Sequence, residues 1–330
     1  MDERSAKPFS LARKPLVALT GATGFIGKYL LHALPKRGYR VRVLLRRPTA
    51  LPEGCPSAVI GDLARPYNMA EALAEVDAVI HTAGLAGAMS GVPEDDYRVF
   101  NTEATVGFAR SAARARVKRF VFLSSIRAQC GATADNILTE DQAPNPTDAY
   151  GRSKLAAELG LAETGLDWVA LRLALVYGPG VQGNMARLIG LARSPYPLPL
   201  AGLKGRHSLL ALDNLAAAVD AVLASPQQLK RPLIVADPEP LTVGAMIAAM
   251  RKGAGRRAGL FNVPASVIET ALRLRGRAEA YQVLFGSLVA DPSALAKLGW
   301  TPPVATDEGL ARLLRDDAQQ RPAASQQASA

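Results

Sequence analysis

Along the first 175 residues, short apolar runs alternate with segments whose apolar residues recur every three or four positions. The runs are "PLVAL" (15–19), "YRVRVLL" (39–45), "SAVIG" (57–61), "DAVIHTA" (77–83), "RFVFLSS" (119–125) and "DWVALRLA" (167–174). Near-continuous apolar runs predict strands covered on both faces, as in a parallel sheet. The segments between them, "FIGKYLLHALPKRG", "NMAEALAEV", "YRVFNTEATVGFARSAARA" and "AYGRSKLAAELGLAETG", predict the covering helices. Alternation of this kind means βαβ units, so the expected class is α/β with a doubly wound parallel sheet.

After "VYGPG" (176–180) the rhythm breaks, and prolines crowd "SPYPLPL" (194–200). A helix over "LDNLAAAVDAVLAS", a short strand "PLIVAD" (232–237) and further helical segments follow. The expected organisation is an N-terminal extension (1–14), a dinucleotide-binding core (15–175) and a small C-terminal substrate-binding lobe (176–316). That lobe is interleaved with late core elements and precedes a disordered, low-complexity tail (317–330). Ligands of open parallel sheets bind at the C-terminal strand edge, and the lobe is expected to lie over it. There is no internal repeat.

Chemistry first enters at "TGATGFIG" (20–27), between the first strand and the first helix. Gly21, Gly24 and Gly27 stand in G-x-x-G-x-x-G spacing, with Thr23, Phe25 and Ile26 among them. In that place glycines allow a tight turn, close backbone approach to a pyrophosphate and close packing of helix on strand. The helix N-terminus adds free N–H groups and partial positive charge. A merely structural turn is the plain alternative; the context favours a Rossmann-type dinucleotide site.

The second strand ends in Arg46 and Arg47, where an acid would select an unphosphorylated ribose. Arginine suits a 2′-phosphate, so NADP is the expected cofactor, with NAD possible. An exposed arginine pair is the alternative. Asp62 and Leu63 follow the third strand, where Asp62 can face the adenine amine. Thr82, Ala83 and Gly84 follow the fourth, and such small residues let a cofactor lie flat. His81 reads better as a packed strand histidine than as a catalytic one.

"YGRSK" (150–154) opens a helix after a polar loop. Tyr150 and Lys154 share one helical face, with Cβ atoms roughly 6 Å apart. A tyrosine, with a pKa near ~10, is a poor base unless nearby cations favour phenolate. Alone, this pair reads as a wet helix face. Ser124 and Ser125 change that weight, because they end a strand at the edge where substrates bind. Ser125 is the candidate for orienting the substrate oxygen while Tyr150 exchanges a proton; Ser124 reads as structural.

Composition narrows the rest. Hydrophobic residues make up 49%, ample for a packed core. The formal charge of +10 invites a nucleic acid or an anionic surface, but the basic residues fall on separate elements. Aromatics are only 5%, so the stacking residues of a single-strand binder are missing. Neither a nucleic-acid partner nor a membrane span is expected. Cys55 and Cys130 have no metal-ligand or disulfide spacing, which fits a reducing cytoplasm and no metal.

The ordered blocks "TGATGFIG", "GDL", "HTAG", "FNTEATVGFARSA", "FVFLSS", "YGRSKLAAE", "LRLALVYGPG", "LLALDNLAAAV" and "LGWTPPVATDEGL" span residues 15 to about 315. As a set the chain resembles the extended short-chain dehydrogenase/reductases, within their NAD-dependent epimerase/dehydratase group. The resemblance implies a catalytic serine, tyrosine and lysine at Ser125, Tyr150 and Lys154. It implies a supporting asparagine at Asn101 beside the cofactor, a substrate-phosphate contact at Asn184, and a homodimer through helices 95–115 and 150–164. The chain departs from the group at Arg46, where many members carry an acid. It departs again at His207, where many carry a diphosphate-binding arginine; Arg206 stands next to it. "IRAQCG" (126–131) replaces the group's usual "V-Y-G".

The expected function is hydride movement at a secondary alcohol or ketone of a sugar nucleotide or related polar substrate, as in nucleotide-sugar epimerases. The alternative is an NADPH-dependent ketone reductase resembling dihydroflavonol reductases. A non-catalytic NAD(P)-binding sensor or assembly protein fits less well, because Tyr150 and Lys154 are both present.

Overall fold

The protein is described from a computed structural model covering residues 14–87, 91–274 and 284–315. The extension expected at 1–14 lies almost wholly outside the described residues, and the tail at 317–330 wholly outside them.

Each early apolar run becomes a strand and each amphipathic segment a helix. The first half runs β1 (Leu16–Thr20), α1 (Phe25–Lys36), β2 (Arg40–Leu45), β3 (Ser57–Val59), α2 (Met69–Ala72), β4 (Ala78–His81) and α3 (Glu94–Tyr97). A π-helical segment (Arg98–Glu103) leads into α4 (Ala104–Arg114). Then come β5 (Arg119–Ser125), a 3-10 turn (Ile126–Ala128), α5 (Ala149–Ala162) and β6 (Trp168–Leu173). The later half holds β7 (Leu175–Tyr177), α6 (Gly183–Arg193), β8 (Arg206–His207), β9 (Leu209–Ala211), α7 (Leu212–Ala224) and β10 (Arg231–Val235). β11 (Leu241–Thr242), α8 (Val243–Gly253), α9 (Ala265–Leu274) and α10 (Ser293–Ala296) follow, with a last helix at 306–315.

The main sheet is parallel, in the order β10-β6-β5-β4-β1-β2-β3. Strand order reverses between β1 and β4, and a crevice at such a reversal is where doubly wound sheets bind ligands. Both sheet faces are covered. One face packs Leu30 and Leu34 of α1 and Leu215, Val219 and Val222 of α7 against Val17, Leu19 and Val121. The other packs Phe108 and Ala112 of α4 and Ala157 and Leu161 of α5 against Ala18, Val79 and Phe120. Two-sided burial is the physical reason the strands read as unbroken apolar runs.

A separate cluster builds the later part: Tyr177, Met185, Ile189, Leu209, Met246, Met250 and Leu310. Buried Asp237 joins this part to the sheet. It accepts from Tyr177 Oη (3.0 Å), Asn214 Nδ2 (2.7 Å) and the Ala211 N–H (3.0 Å). Among the described residues no helix is long and apolar enough to cross a membrane.

Candidate active site

The glycine turn is tight enough to exclude side chains. Gly21 sits at φ +67°, and a Cβ there would fall 2.4 Å from Thr82 Oγ1. A Cβ on Gly27 would fall 2.1 Å from the Gly21 carbonyl oxygen, so helix and turn touch through backbone alone. Gly24 caps α1 with no side-chain hydrogen bond, leaving the first helical N–H groups for another acceptor. Thr23 is exposed, while Phe25 and Ile26 lean on the sheet core. This cradle, at the β1–β4 reversal, fits the pyrophosphate of a dinucleotide.

The neighbouring loop is fastened to the turn. Thr82 Oγ1 donates to the Thr20 carbonyl at 2.7 Å, and the Thr82 and Ala83 N–H groups donate to Thr20 Oγ1 at 3.2 and 3.3 Å. Gly84 carries φ +156° and lies against Asn101. Asn101 is fully buried in the π segment; its Oδ1 accepts from the Leu85 N–H at 2.7 Å. Its Nδ2 donates to the Leu85 carbonyl (3.1 Å) and to Ser153 Oγ (3.2 Å). Asn101 thus spends its amide on protein and holds the Gly84–Leu85 loop from behind, in the supporting place the resemblance implies.

His81 is packed. It is buried between Thr20 Oγ1 (2.8 Å) and Thr105 Oγ1 (2.9 Å). Burial, with Lys154 nearby, pushes its pKa down to about 3, so the ring stays neutral. Beyond β2, Arg46 is two-thirds exposed, with its Nη1 4.0 Å from Asp62 Oδ2. Asp62 Oδ1 accepts from the Ala64 N–H at 2.9 Å, and Leu63 is half-buried against the core.

The chemistry-bearing side chains meet at the C-terminal end of β5. Asp148 caps α5 by accepting from the Gly151 N–H at 2.6 Å, which sets Tyr150 in the first turn. The Ser125 hydroxyl stands near enough to the Tyr150 phenol to favour its ionised form. Lys154 is buried one turn on; its Nζ donates to the Leu123 carbonyl at 3.0 Å and lies 5.9 Å from the Tyr150 ring centroid. Burial pushes the Lys154 ammonium down to about 8, partly countered by Glu158. Burial also pushes the Tyr150 phenol up, while the Ser125 hydroxyl opposes that. A phenol beside a serine hydroxyl, with an ammonium behind it, can pass a proton to or from a substrate oxygen.

Sequence reasoning missed the support beneath these groups. Buried Arg172 on β6 donates to Glu158 Oε2 at 2.6 Å and also bonds Gln129. Ser124 bonds the same carboxylate, which explains its structural role. Glu158 lies four residues after Lys154, and that spacing was the available signal.

The candidate residues after residue 176 are placed less compactly. Asn184 is exposed at the start of α6, its Oδ1 accepting from Arg187 Nη1 at 3.3 Å. Arg206 donates to the Pro240 carbonyl at 3.0 and 3.2 Å, and His207 pairs with Leu241 across β8 and β11. Adjacent strand residues point to opposite faces, so Arg206 does not present its charge where His207 presents its ring.

The match to known proteins agrees with this geometry. A family model described as "NAD dependent epimerase/dehydratase family" matches residues 17–236, and the chain belongs to that family. It is similar to a UDP-glucose 4-epimerase of Vibrio cholerae, 30% identical over 305 residues, covering 89% of this chain and 92% of the relative. It is also similar to a 2-alkyl-3-oxoalkanoate reductase of Stenotrophomonas maltophilia, 27% identical, covering 90% and 98% of the two chains. The solved structure of MoeE5 in complex with UDP-glucose and NAD superposes with TM-score 0.71 at 27% identity, covering 92% of this chain and 99% of that one. The protein is therefore an enzyme of the epimerase or dehydrogenase type, with a Rossmann-type core.

Proposed function

We propose that this enzyme moves a hydride at a secondary alcohol of a sugar nucleotide and returns it to the opposite face of the same carbon. The gathering of Tyr150 and Lys154, its Nζ 5.9 Å from the Tyr150 ring, at the end of the strand that closes on Ser125 and beside the glycine cradle, is the observation that carries the reading. Gly21, Gly24 and Gly27 hold the pyrophosphate, and Thr82, Ala83 and Gly84 floor the nicotinamide half. Ser125 orients the sugar oxygen. Tyr150, as phenolate, takes the hydroxyl proton when the alcohol becomes a ketone and returns it when the alcohol re-forms. Lys154 binds the nicotinamide ribose and favours the phenolate. The bound dinucleotide supplies the hydride acceptor and donor. The near full-length similarity to the Vibrio epimerase, and the UDP-glucose held by MoeE5, support a UDP-hexose as substrate. Asn184 and His207 are the proposed contacts to its diphosphate side, and Arg206, bonded to the Pro240 carbonyl, stays outside that set.

The same reading takes NADP as the preferred dinucleotide, because Arg46 and Arg47 stand exposed after β2. It takes a homodimer through α4 and α5, supported by the exposed Leu159 on α5, and a cytoplasmic location. Incubation with UDP-glucose and dinucleotide, read by the proton spectrum at the sugar carbons, tests it. Appearance of the C4 epimer supports epimerisation, and an unchanged sugar contradicts it.

A second reading, net reduction of a ketone by NADPH, is favoured by Arg46 and by similarity to the oxoalkanoate reductase. Stoichiometric consumption of NADPH with a ketone, and none of the epimer, would select it.

A further inference from the structure

We propose that Arg127 is a positioning residue for Tyr150: paired with Asp148, it fastens the turn after Ser125 to the helix that begins at Tyr150 and neutralises the carboxylate beside that phenol. The inference rests on reading Tyr150 as the proton carrier.

One bond closes the turn, one closes the helix cap, and two contacts join turn to helix. The Arg127 N–H donates to Ser125 Oγ at 3.2 Å, closing the 3-10 turn on the serine. Its guanidinium donates to Asp148 Oδ2. The other Asp148 oxygen accepts from the Gly151 N–H at 2.6 Å. A Cβ at Gly151 would lie 2.2 Å from the Arg127 carbonyl oxygen, so the turn presses directly on the helix backbone. Arg127 Nε is buried with no hydrogen-bond partner, so Asp148 is the side chain holding this guanidinium. Arg127 therefore touches both ends of the Ser125–Tyr150 pair through short links.

The charges follow from that placement. Around the Tyr150 phenol stand Ser125 on β5, Asp148 at the helix cap, Lys154 one turn on, Tyr97 on α3 with its ring 6.0 Å away, and Arg127 on the turn. A carboxylate near a phenol opposes its ionisation and a cation favours it. Asp148 raises the Tyr150 phenol and Arg127 lowers it. Paired, the two offset each other; without Arg127 the cap carboxylate acts alone. The sequence places this arginine in "IRAQCG", the segment in which the chain departs from its group.

The test is titration of Tyr150 by near-ultraviolet phenolate absorbance, in the full-length protein with excess NAD. Each protein is read against the same protein carrying Tyr150→Phe. Arg127→Gln is expected to raise the midpoint by roughly one pH unit, and Arg127→Lys to restore it. Asp148→Asn, which keeps a helix cap, is expected to lower it. The double variant Arg127→Gln/Asp148→Asn is expected to return near wild type. An unmoved midpoint in Arg127→Gln overturns the proposal, as does a double variant displaced as far as the single, which a purely structural clamp would give. If Arg127→Gln does not fold, Asp148→Asn decides by the same criterion: a lowered midpoint supports it and an unmoved one overturns it. No substrate is needed, so failure of the epimerase reading shows separately, as absent turnover with the titration intact.

Discussion

Lys154 Nζ donates to the Leu123 carbonyl at 3.0 Å, tying the helix that carries Tyr150 to the strand that ends at Ser125. This bond holds a buried ammonium between two elements whose spacing the proposed proton transfer depends on. Its energetic sign can be measured. The fold lowers the Lys154 pKa from 10.5 to about 8, so folding disfavours the charged form. The destabilisation is full below about pH 8 and disappears as pH rises toward 10.5. Lys154→Met is therefore expected to gain up to about 3 kcal/mol at neutral pH, with the gain shrinking above pH 8 while turnover is lost. Urea unfolding across that range checks it.

Glu158 makes the opposite case. It is the carboxylate that Arg172, Ser124 and, more distantly, Lys154 share in the core. Glu158→Ala strands the Arg172 guanidinium without its anion, and is expected to cost about 3–5 kcal/mol in urea unfolding.

The glycine cradle offers a paired comparison. Gly27→Ala places a methyl 2.1 Å from a backbone oxygen, and neither partner is a movable side-chain tip. It is expected to weaken dinucleotide binding by roughly tenfold or more, about 1.4 kcal/mol. Gly107→Ala, in α4 with open space around it, is expected to leave binding unchanged and add about 0.5–1 kcal/mol of stability. Calorimetric titration with dinucleotide and thermal melts read both.

The proposed preference for NADP rests on Arg46. Its guanidinium is exposed and makes only a long contact to Asp62 at 4.0 Å, so it is available to a 2′-phosphate. Arg46→Glu is expected to weaken NADPH binding by roughly 10–100-fold and leave NADH binding almost unchanged, measured by fluorescence titration.

What was legible in the sequence is what short spacing encodes. The parallel sheet was legible because two-sided burial makes each strand one apolar word. Gly21, Gly24 and Gly27 were legible because backbone crowding at a strand–helix turn admits no side chain. Tyr150 and Lys154 were legible because four residues make one helical turn. Pairs joined across the fold were not. Arg172 meets Glu158 from a different element, and Arg127 meets Asp148 across 21 positions. In a chain with this many surface charges, such residues look like any solvated arginine or aspartate until burial is known. Asn101 was visible as a candidate residue, but only the structure gives its bonds to Leu85 and Ser153, through which it holds the loop. β10 joins the main sheet beside β6 after more than fifty intervening residues (174–230), a pairing no local pattern could announce.

The central claim is that Tyr150 moves the proton. Comparing wild type with Tyr150→Phe tests it most directly, using interconversion of UDP-glucose and its C4 epimer as the readout and dinucleotide affinity as the control. The account predicts a loss of roughly 100-fold or more in turnover, with dinucleotide affinity unchanged. Full turnover by Tyr150→Phe would contradict it.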